Sequence, residues 1–174
     1  MEEFLMSFRL LRSITVVCLF VINFYGFPVN AAYQAYEVEA VYIFRIANFI
    51  QWESKNKTSL VFCGSKDDPV MKTLKIISKD KSIQGKSVAV ITNNKSNCDI
   101  YVAHKKTTMA ELKKLNKNVL TISGKKNFTK QSGMIELRQV DGKVKPAINL
   151  DNLQHSSFNV SSQLLRLAII ERGN

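Results

Sequence analysis

The chain has 174 residues, of which 45% are apolar and 22% are charged, and its formal net charge is +11. This length fits one domain with a buried core, and the seven Gly and three Pro exclude a collagen-like or low-complexity chain. The sequence therefore predicts a single globular domain with a strongly basic surface.

The amino terminus has the order of a secretory signal peptide. Arg9 and Arg12 precede an apolar run from Ile14 to Ile22, and a small-residue cleavage motif follows. We expect residues 1–31 to be removed and residues 32–174 to form the exported domain. The alternative is a membrane anchor that stays attached, but the apolar run is short for a membrane span. The predicted location is the periplasm.

Export limits the classes of binding partner that are expected for a positively charged domain. The predicted signal peptide contains two acidic and two basic residues, so its removal leaves the net charge at +11. Nucleic acid is not an expected partner of an exported protein. An anionic membrane surface or an acidic protein face remains open, beside the alternative that the scattered lysines only form a solvated surface.

The first half of the exported domain alternates helices with strands. Apolar side chains at steps of three and four predict a helix from Tyr33 to Ile50, and a continuous apolar run predicts a buried strand over residues 59–63. Asp68 as N-cap and Pro69 as first helical residue open a second helix. Residues 86–91 read as the next strand.

The same alternation continues towards the middle of the chain. Residues 93–97 read as a turn and residues 98–103 as a strand. Thr107 or Thr108 caps a third helix, and residues 118–123 form a further strand. Strands that alternate with helices favour a mostly parallel sheet with right-handed crossovers.

The last part of the chain changes pattern. Two alternating runs, residues 133–140 and 143–150, flank Asp141-Gly142, which is a strong signal for a β-hairpin. Pro146 has no backbone N–H, so we expect its strand at a sheet edge or bulged there. Ser161 or Ser162 opens a final helix that reaches Ile169. The predicted fold is a single α/β domain with a central, mostly parallel sheet flanked by helices, followed by a C-terminal β-hairpin and helix.

Two cysteines remain in the predicted exported domain, Cys63 and Cys98. An even number in an oxidising compartment indicates one disulfide, and two buried free thiols are the alternative. If Cys63 ended one strand and Cys98 began its parallel neighbour, the two would lie roughly 13 Å apart. A disulfide needs Cα atoms within about 7 Å. Either the strands are antiparallel or offset, or Cys98 belongs to the preceding turn.

The sequence offers no catalytic set. His104 and His155 each stand alone, without the spacing of a metal site, and no nucleophile elbow or glycine-rich phosphate loop is present. We therefore expect no catalytic residue, no metal and no cofactor. An unrecognised enzyme would need a deep polar cleft that holds one of these histidines beside a carboxylate.

Short segments spread over the exported domain carry a resemblance when they are taken in order. They are Val38–Phe44 with Asn48–Trp52, Cys98–Val102, Val119–Ser123, Gly133–Ile135 with Ile148–Leu150, and Ser161–Ala168. This ordered set resembles the YfiR family over nearly the whole predicted domain. Pro146 and the Gln51-Trp52-Glu53 triplet depart from the family pattern.

The resemblance implies a periplasmic, commonly dimeric α/β protein. The well-understood members repress a membrane-bound diguanylate cyclase by holding its periplasmic domain, and release of the cyclase raises cyclic di-GMP and favours biofilm formation. These members carry a disulfide whose cysteines match Cys63 and Cys98. A second cysteine pair of some members has no counterpart here, which puts a two-disulfide redox switch in doubt.

Two binding hypotheses follow, and each residue has a structural alternative. If the domain docks on the extracytoplasmic part of a membrane signalling protein, exposed aromatic side chains would anchor the contact. The candidates are Phe44, Phe49, Trp52 and Phe158, for which core packing is the alternative.

If the domain instead carries or senses a small ligand at the strand ends, Asn149 and Arg166 would be its polar contacts. For these two residues the alternatives are a structural hydrogen bond and a surface salt bridge. Both hypotheses hold together if ligand binding controls release of the partner.

Overall fold

A computed structural model of the protein describes four stretches of chain. The predicted signal peptide, His155 and most of the predicted turn after the second strand lie outside them, so the division of the chain after residue 31 stays a prediction. The described residues are 33–52, 57–92, 97–154 and 156–173. Every helix in these stretches is too short or too polar to cross a membrane.

The helices and strands alternate as the sequence predicts, with additional short elements. The helices are α1 (Ala35–Ala47), α2 (Pro69–Ile77), α3 (Met109–Lys113), α4 (Leu150–Leu153) and α5 (Ser162–Leu167), with a 3-10 turn at Thr129–Gln131. The strands are β1 (Ile50–Trp52), β2 (Ser59–Gly64), β3 (Ser82–Ile83), β4 (Lys86–Thr92), β5 (Ile100–Val102), β6 (Leu120–Ser123), β7 (Ile135–Val140), β8 (Lys143–Asn149), β9 (Phe158–Val160) and β10 (Ile169–Glu171).

A central eight-stranded sheet has the order β10-β8-β7-β6-β5-β2-β4-β3. The run from β7 through β6, β5 and β2 to β4 is parallel, and β10 is parallel to β8. Strands β7 and β8 are antiparallel to each other, and the short edge strand β3 is antiparallel to β4. The predicted α/β class, with its mostly parallel sheet and C-terminal hairpin and helix, is confirmed.

The central strands are buried on both faces. In β2, Leu60 and Phe62 pack into a core shared with α1 and α2, whereas Val61 and Cys63 pack into a second cluster with α3. Successive side chains of a strand point to opposite faces, so one apolar run supplies both layers. Helices therefore have to cover the sheet on each side.

The predicted first helix is too long at its carboxyl end. It ends at Ala47, and residues 50–52 form β1, which pairs antiparallel with β9 in a separate two-stranded sheet. Ile50 continues the apolar spacing of the helix, so the local pattern alone does not distinguish the two states. Pairing with residues 158–160, far away in the chain, decides for the strand.

The predicted last helix is also too long. Ser161 caps it as expected, but it ends at Leu167, and Ile169 belongs to β10, which pairs with Ala147 of β8. Isoleucine is β-branched and fits a half-buried strand better than the end of a helix. The free edge of β8 supplies the hydrogen bonds that make this strand.

The predicted hairpin is confirmed, and the edge position of its second strand is wrong. Asp141 and Gly142 have φ values of 49° and 72°, which are those of the tight turn that such a dipeptide favours. Strand β8 lies between β7 and β10, so Pro146 is not on an edge strand. However, β10 pairs only with residues 147–149, and Pro146 lies just before that stretch. Its missing N–H is tolerated there for this reason.

The disulfide joins Cys63 and Cys98, with Cα atoms 5.7 Å apart. Strands β2 and β5 are parallel, and β5 begins only at Ile100, so Cys98 lies in the preceding turn. Asp99 fixes that turn, because its carboxylate accepts the Val61 N–H at 2.7 Å. The second of the sequence-based explanations for the distance is therefore correct, and the chain crosses over the face of β2 that carries Cys63.

Removal of the disulfide should lower the free energy of unfolding by roughly 4 kcal/mol, because the bond closes a loop between residues 35 positions apart and restricts the unfolded chain. We expect this loss in the double variant C63A/C98A, measured by urea unfolding. Reductant should destabilise the parent protein to the same extent and leave the double variant unchanged. A parent protein whose stability does not respond to reductant would contradict the pairing.

Candidate functional site

A buried polar cluster lies where the last strands of the sheet meet. Glu136 and Arg138 lie on the same face of β7, and Glu171 lies on β10, with β8 between the two strands. Ala147 of β8 is directly opposite Glu136, and its short side chain leaves room for Arg138 to reach across. Thr129 of the 3-10 turn completes the cluster from above.

The guanidinium of Arg138 joins the two carboxylates. Its Nε and Nη2 donate to Glu136 at 3.0 and 3.1 Å, and its Nη1 donates to Glu171 at 3.0 Å. The Thr129 hydroxyl lies 2.5 Å from Glu171 Oε2 and 3.1 Å from Glu136 Oε2. The side chain of Glu136 is only 2% exposed, so its charge depends on these donors.

The cluster holds both carboxylates in the ionised form. Burial alone would raise the pKa of Glu136, but hydrogen bonds and charge from Arg138, with the Thr129 donors, lower it below its ordinary value of 4.5. The Thr129 hydroxyl, together with Arg138, also lowers the pKa of Glu171 against a smaller effect of burial. The bonded carboxylates in turn raise the pKa of Arg138. The three charges therefore form one mutually stabilised unit.

A cavity of about 400 Å³ opens beside this cluster. Two exposed basic residues, Lys130 and Arg172, line this cavity and make it positively charged. A second cavity, of about 540 Å³, shares Lys130 and Glu171 with the first. This size suits a small molecule, and the two cations suit one with an anionic group. The first cavity is lined by Thr129, Lys130, Ser132, Asn149, Asn152, Glu171, Arg172 and Gly173.

The two residues predicted to bind a ligand are not brought together. Asn149 lies in the wall of the 400 Å³ cavity, where its Oδ1 accepts the N–H groups of Asp151 and Asn152 at the start of α4. Its Nδ2 donates to the Thr129 carbonyl at 3.2 Å. Arg166 is exposed on α5 and does not line that cavity. A contact of either residue with a ligand stays a prediction.

Two of the four predicted partner-binding residues pack against each other. Trp52 of β1 is the register partner of Phe158 in β9, and their ring centroids are 5.5 Å apart. Phe158 is 5% exposed and belongs to the core, whereas the Trp52 ring is half-buried. The Trp52 indole N–H donates to the Ala47 carbonyl at 3.1 Å, which fixes the ring at the end of α1.

The other two predicted partner-binding residues lie on and just after α1. Phe44 and Phe49 are both half-buried against the α1–α2 core. The ammonium of Lys81 lies 6.0 Å from the centre of the Phe44 ring, which is within the range of a weak cation–π contact. All four aromatic residues thus have structural contacts, and their role towards a partner stays a prediction.

The polar cluster was not predicted from the sequence, although two of its residues are recognisable there. Glu136 and Arg138 are opposite charges two positions apart in an alternating strand, so they share a face, although such a pattern predicts an exposed face and not a buried one. Glu171 gave no signal, because β10 was not predicted. In the described stretches, no three or more His, Cys, Asp or Glu side chains are grouped as they would be around a metal ion.

A separate carboxylate holds α1 to the end of β6. Glu39 Oε1 accepts the Gly124 N–H at 2.7 Å. A Cβ at position 124 would lie 2.6 Å from Glu39 Oε2, so any other residue there would displace the Glu39 carboxylate. Burial raises the pKa of Glu39, Asp68 adds to the rise, and the Gly124 N–H, Lys105 and His104 oppose it.

Replacement of Arg138 should destabilise the protein, because it leaves Glu136 buried without its cation. We expect Arg138→Ala to lower the free energy of unfolding by about 2–3 kcal/mol at neutral pH, near the lower end for a broken buried pair because Arg138 is partly exposed. Arg166→Ala, on the exposed side of α5, is the matched control and should change it by less than about 0.5 kcal/mol. Equal losses in urea unfolding would contradict the cluster.

The parent protein should also lose stability in acid through this cluster. The folded-state pKa values of Glu136 and Glu171 lie below 4.5, so their contribution is present above that pH and is lost as the pH falls through the lowered values. In Arg138→Ala, the melting temperature should fall less steeply than in the parent as the pH decreases below 4.5, measured by thermal unfolding at a series of pH values. If both proteins lose stability equally in acid, other groups cause the acid sensitivity.

Glu39 should have the opposite pH dependence. Its folded-state pKa lies above 4.5, so its contribution is present below that pH and is lost as the pH rises through the raised value. Glu39→Gln keeps an acceptor for Gly124 and removes the charge. We expect this variant to melt at a higher temperature than the parent at pH 7 and at a similar temperature near pH 4. A lower melting temperature at pH 7 would contradict the raised pKa.

No curated protein matches the chain. The YfiR/HmsC-like family model matches residues 36–169, which run from the first turn of α1 to the first residue of β10. The match includes the disulfide, the central parallel strands and the β7–β8 hairpin, and it covers most of the 174 residues. The chain belongs to the YfiR/HmsC-like family.

Proposed function

We propose that this protein is a periplasmic regulator that binds the extracytoplasmic domain of a membrane-bound diguanylate cyclase and represses it. The family match over residues 36–169 is the observation that carries this proposal, because the family is regulatory and periplasmic. Cyclic di-GMP output, and with it biofilm formation, would then depend on how much cyclase the protein holds. The protein would act by contact and not by catalysis.

Two features of the chain support an exported, contact-based role. The disulfide between Cys63 and Cys98 is of the kind that forms and persists in an oxidising compartment. Charged groups in the polar cluster satisfy one another, with Arg138 bonded to both carboxylates. Such a closed arrangement suits a rigid platform better than a general acid or base, which needs a free proton-transfer position.

The aromatic flank of α1 is the proposed contact surface. Phe44, Phe49 and Trp52 are half-buried and pack against the core, so part of each residue stays accessible to a partner. Phe158 supports Trp52 from inside. Aromatic side chains held in this way lose little conformational entropy on binding, which is typical of interface anchors. We expect the active form to be a homodimer.

Deletion of the gene should raise cellular cyclic di-GMP, because the cyclase loses its repressor. The measurement is cyclic di-GMP in the deletion strain, with the full-length gene returned as the positive control. A version without residues 1–31 should fail to restore repression, since it would not be exported. An unchanged cyclic di-GMP level in the deletion strain would count against the proposal.

A charged residue in the aromatic flank should separate binding from folding. We expect Phe49→Lys to weaken capture of the cyclase from solubilised envelope by about tenfold or more, the size of an interface anchor. Met109→Lys is the matched control, because Met109 is an exposed apolar residue on α3, across the sheet from α1. Thermal unfolding of both variants shows whether the fold is kept. If both variants capture the cyclase equally well, the aromatic flank is not part of the interface.

A second function, binding of a small ligand, has one specific observation in its favour. The 400 Å³ cavity beside Asn149 presents Lys130 and Arg172, so it would take a small molecule with an anionic group. A thermal-shift screen of small anionic metabolites tests this, with the double variant K130Q/R172Q as the comparison. A ligand that stabilises both proteins equally binds elsewhere, and a screen with no stabilising compound argues against the function.

A further inference from the structure

The outer surface of the α1–α2 layer is basic and carries exposed aliphatic side chains. Both helices bury one side in the same core, α1 through Ala40 and Ile43 and α2 through Met71 and Leu74. Their opposite sides therefore point away from the sheet. We call this surface the basic helical face; it consists of Val41, Arg45, Lys72, Lys75, Ile76 and Lys79, all of them exposed.

Ile76 lies among the lysines of this face. Its side chain is 75% exposed, which is high for a large aliphatic residue. Lys72 is one helical turn before it, Lys75 is its neighbour in the chain, and Lys79 follows three positions later, just beyond the end of α2. Residues three and four apart are neighbours on a helix surface, so Lys72 and Lys79 flank this aliphatic side chain, and Lys75 adds a further positive charge on the exposed side of the helix.

Acidic side chains neutralise the face only in part, with Asp80 exposed directly after Lys79. Glu37 is on the outer side of α1, but its Oε2 accepts the Gln34 N–H at 2.9 Å at the start of the helix. Asp68, the N-cap of α2, is 4% exposed and accepts the Val70 N–H. The first turn of α2 contains no acidic residue. The face therefore presents a concentrated part of the +11 charge of the chain.

The composition of the face favours a lipid surface over a protein. Protein interfaces are depleted in lysine and enriched in aromatic residues at their centres, and the six residues of this face show the reverse. At a membrane, lysine stems lie along the apolar boundary while the ammonium groups reach the head-group phosphates. A single aliphatic side chain such as Ile76 can then enter the boundary between head groups and acyl chains.

We propose that the basic helical face docks the domain on an anionic phospholipid surface. The inference rests on the proposed function only in placing the domain beside a membrane. Docking would keep the protein in a thin layer next to a membrane-bound partner, which raises its effective concentration there. The contact is electrostatic in the main, so it weakens as salt is added.

The proposal can be tested by vesicle flotation, using the protein in the form that its host exports. Vesicles of phosphatidylglycerol mixed with phosphatidylcholine should carry the protein, and vesicles of phosphatidylcholine alone should not. The triple variant K72Q/K75Q/K79Q should bind more weakly by about fivefold for each lysine removed. Ile76→Ser should also weaken binding, although the net charge is unchanged.

A matched control separates this face from net charge. The variant K113Q/K114Q/K117Q removes the same charge from exposed positions on and after α3, across the sheet, and should bind nearly as well as the parent. Equal losses in the two triple variants, or equal binding to neutral vesicles, would overturn the proposal. If K72Q/K75Q/K79Q binds vesicles normally but no longer captures the cyclase in detergent, the face belongs to an acidic protein instead.

The flotation assay contains no cyclase. A negative result there therefore refutes membrane docking alone, whereas the cyclic di-GMP level of the deletion strain decides the proposed function. The two failures can be told apart, because deletion of the gene still raises cyclic di-GMP if the protein represses the cyclase without touching lipid. Thermal unfolding confirms that each variant is folded, and the substituted side chains are all exposed.

Discussion

The central strands β2, β5 and β6 carry buried side chains on both faces, and the arrangement of the remaining elements follows from that constraint. Leu60 and Phe62 need α1 and α2 above them, and Val61 and Cys63 need the layer below. A parallel strand order supplies these layers, because each connection between parallel strands crosses a face of the sheet. The apolar runs that form the strands therefore also require a covering layer on each face of the sheet.

The end of the sheet depends on a different interaction. Beyond β7 the chain becomes a hairpin, and β10 returns to cover β8. Strands β7 and β10 here share one ion cluster, in which Arg138 bridges Glu136 and Glu171. Buried charges of this kind are costly unless they are matched, so the cluster accepts β10 in one register and penalises others. Glu171 of β10 also lines both adjoining cavities.

Much of the fold could be predicted from local patterns. The Asp68 and Thr108 caps, the Asp141-Gly142 turn and the apolar strands are encoded by neighbouring residues, and the structure contains each of them. Two errors lie at Ile50 and Ile169, which continue the spacing of a helix but belong to strands. Their conformation depends on partners far away in the sequence, and a local pattern carries no record of those partners.

The candidate sites were less predictable than the fold, for the same reason. Asn149 lies in the wall of a cavity, and its contact with a ligand stays a prediction; the charged groups around it come from the 3-10 turn and from β10. The lysines of α2 looked scattered in the sequence because their common direction appears only when the helix is formed and one side is buried. Sites assembled from separate elements need the tertiary structure before they can be recognised.

The bond between Cys63 and Cys98 closes a ring of chain that contains α2, β3 and β4. A peptide bond broken anywhere inside this ring would not release a fragment. The nicked molecule would migrate as one species until its sulfur bridge was reduced, and the strands would stay in their places in the sheet meanwhile. A protease could therefore cut an exposed turn in this region without separating the two parts of the chain.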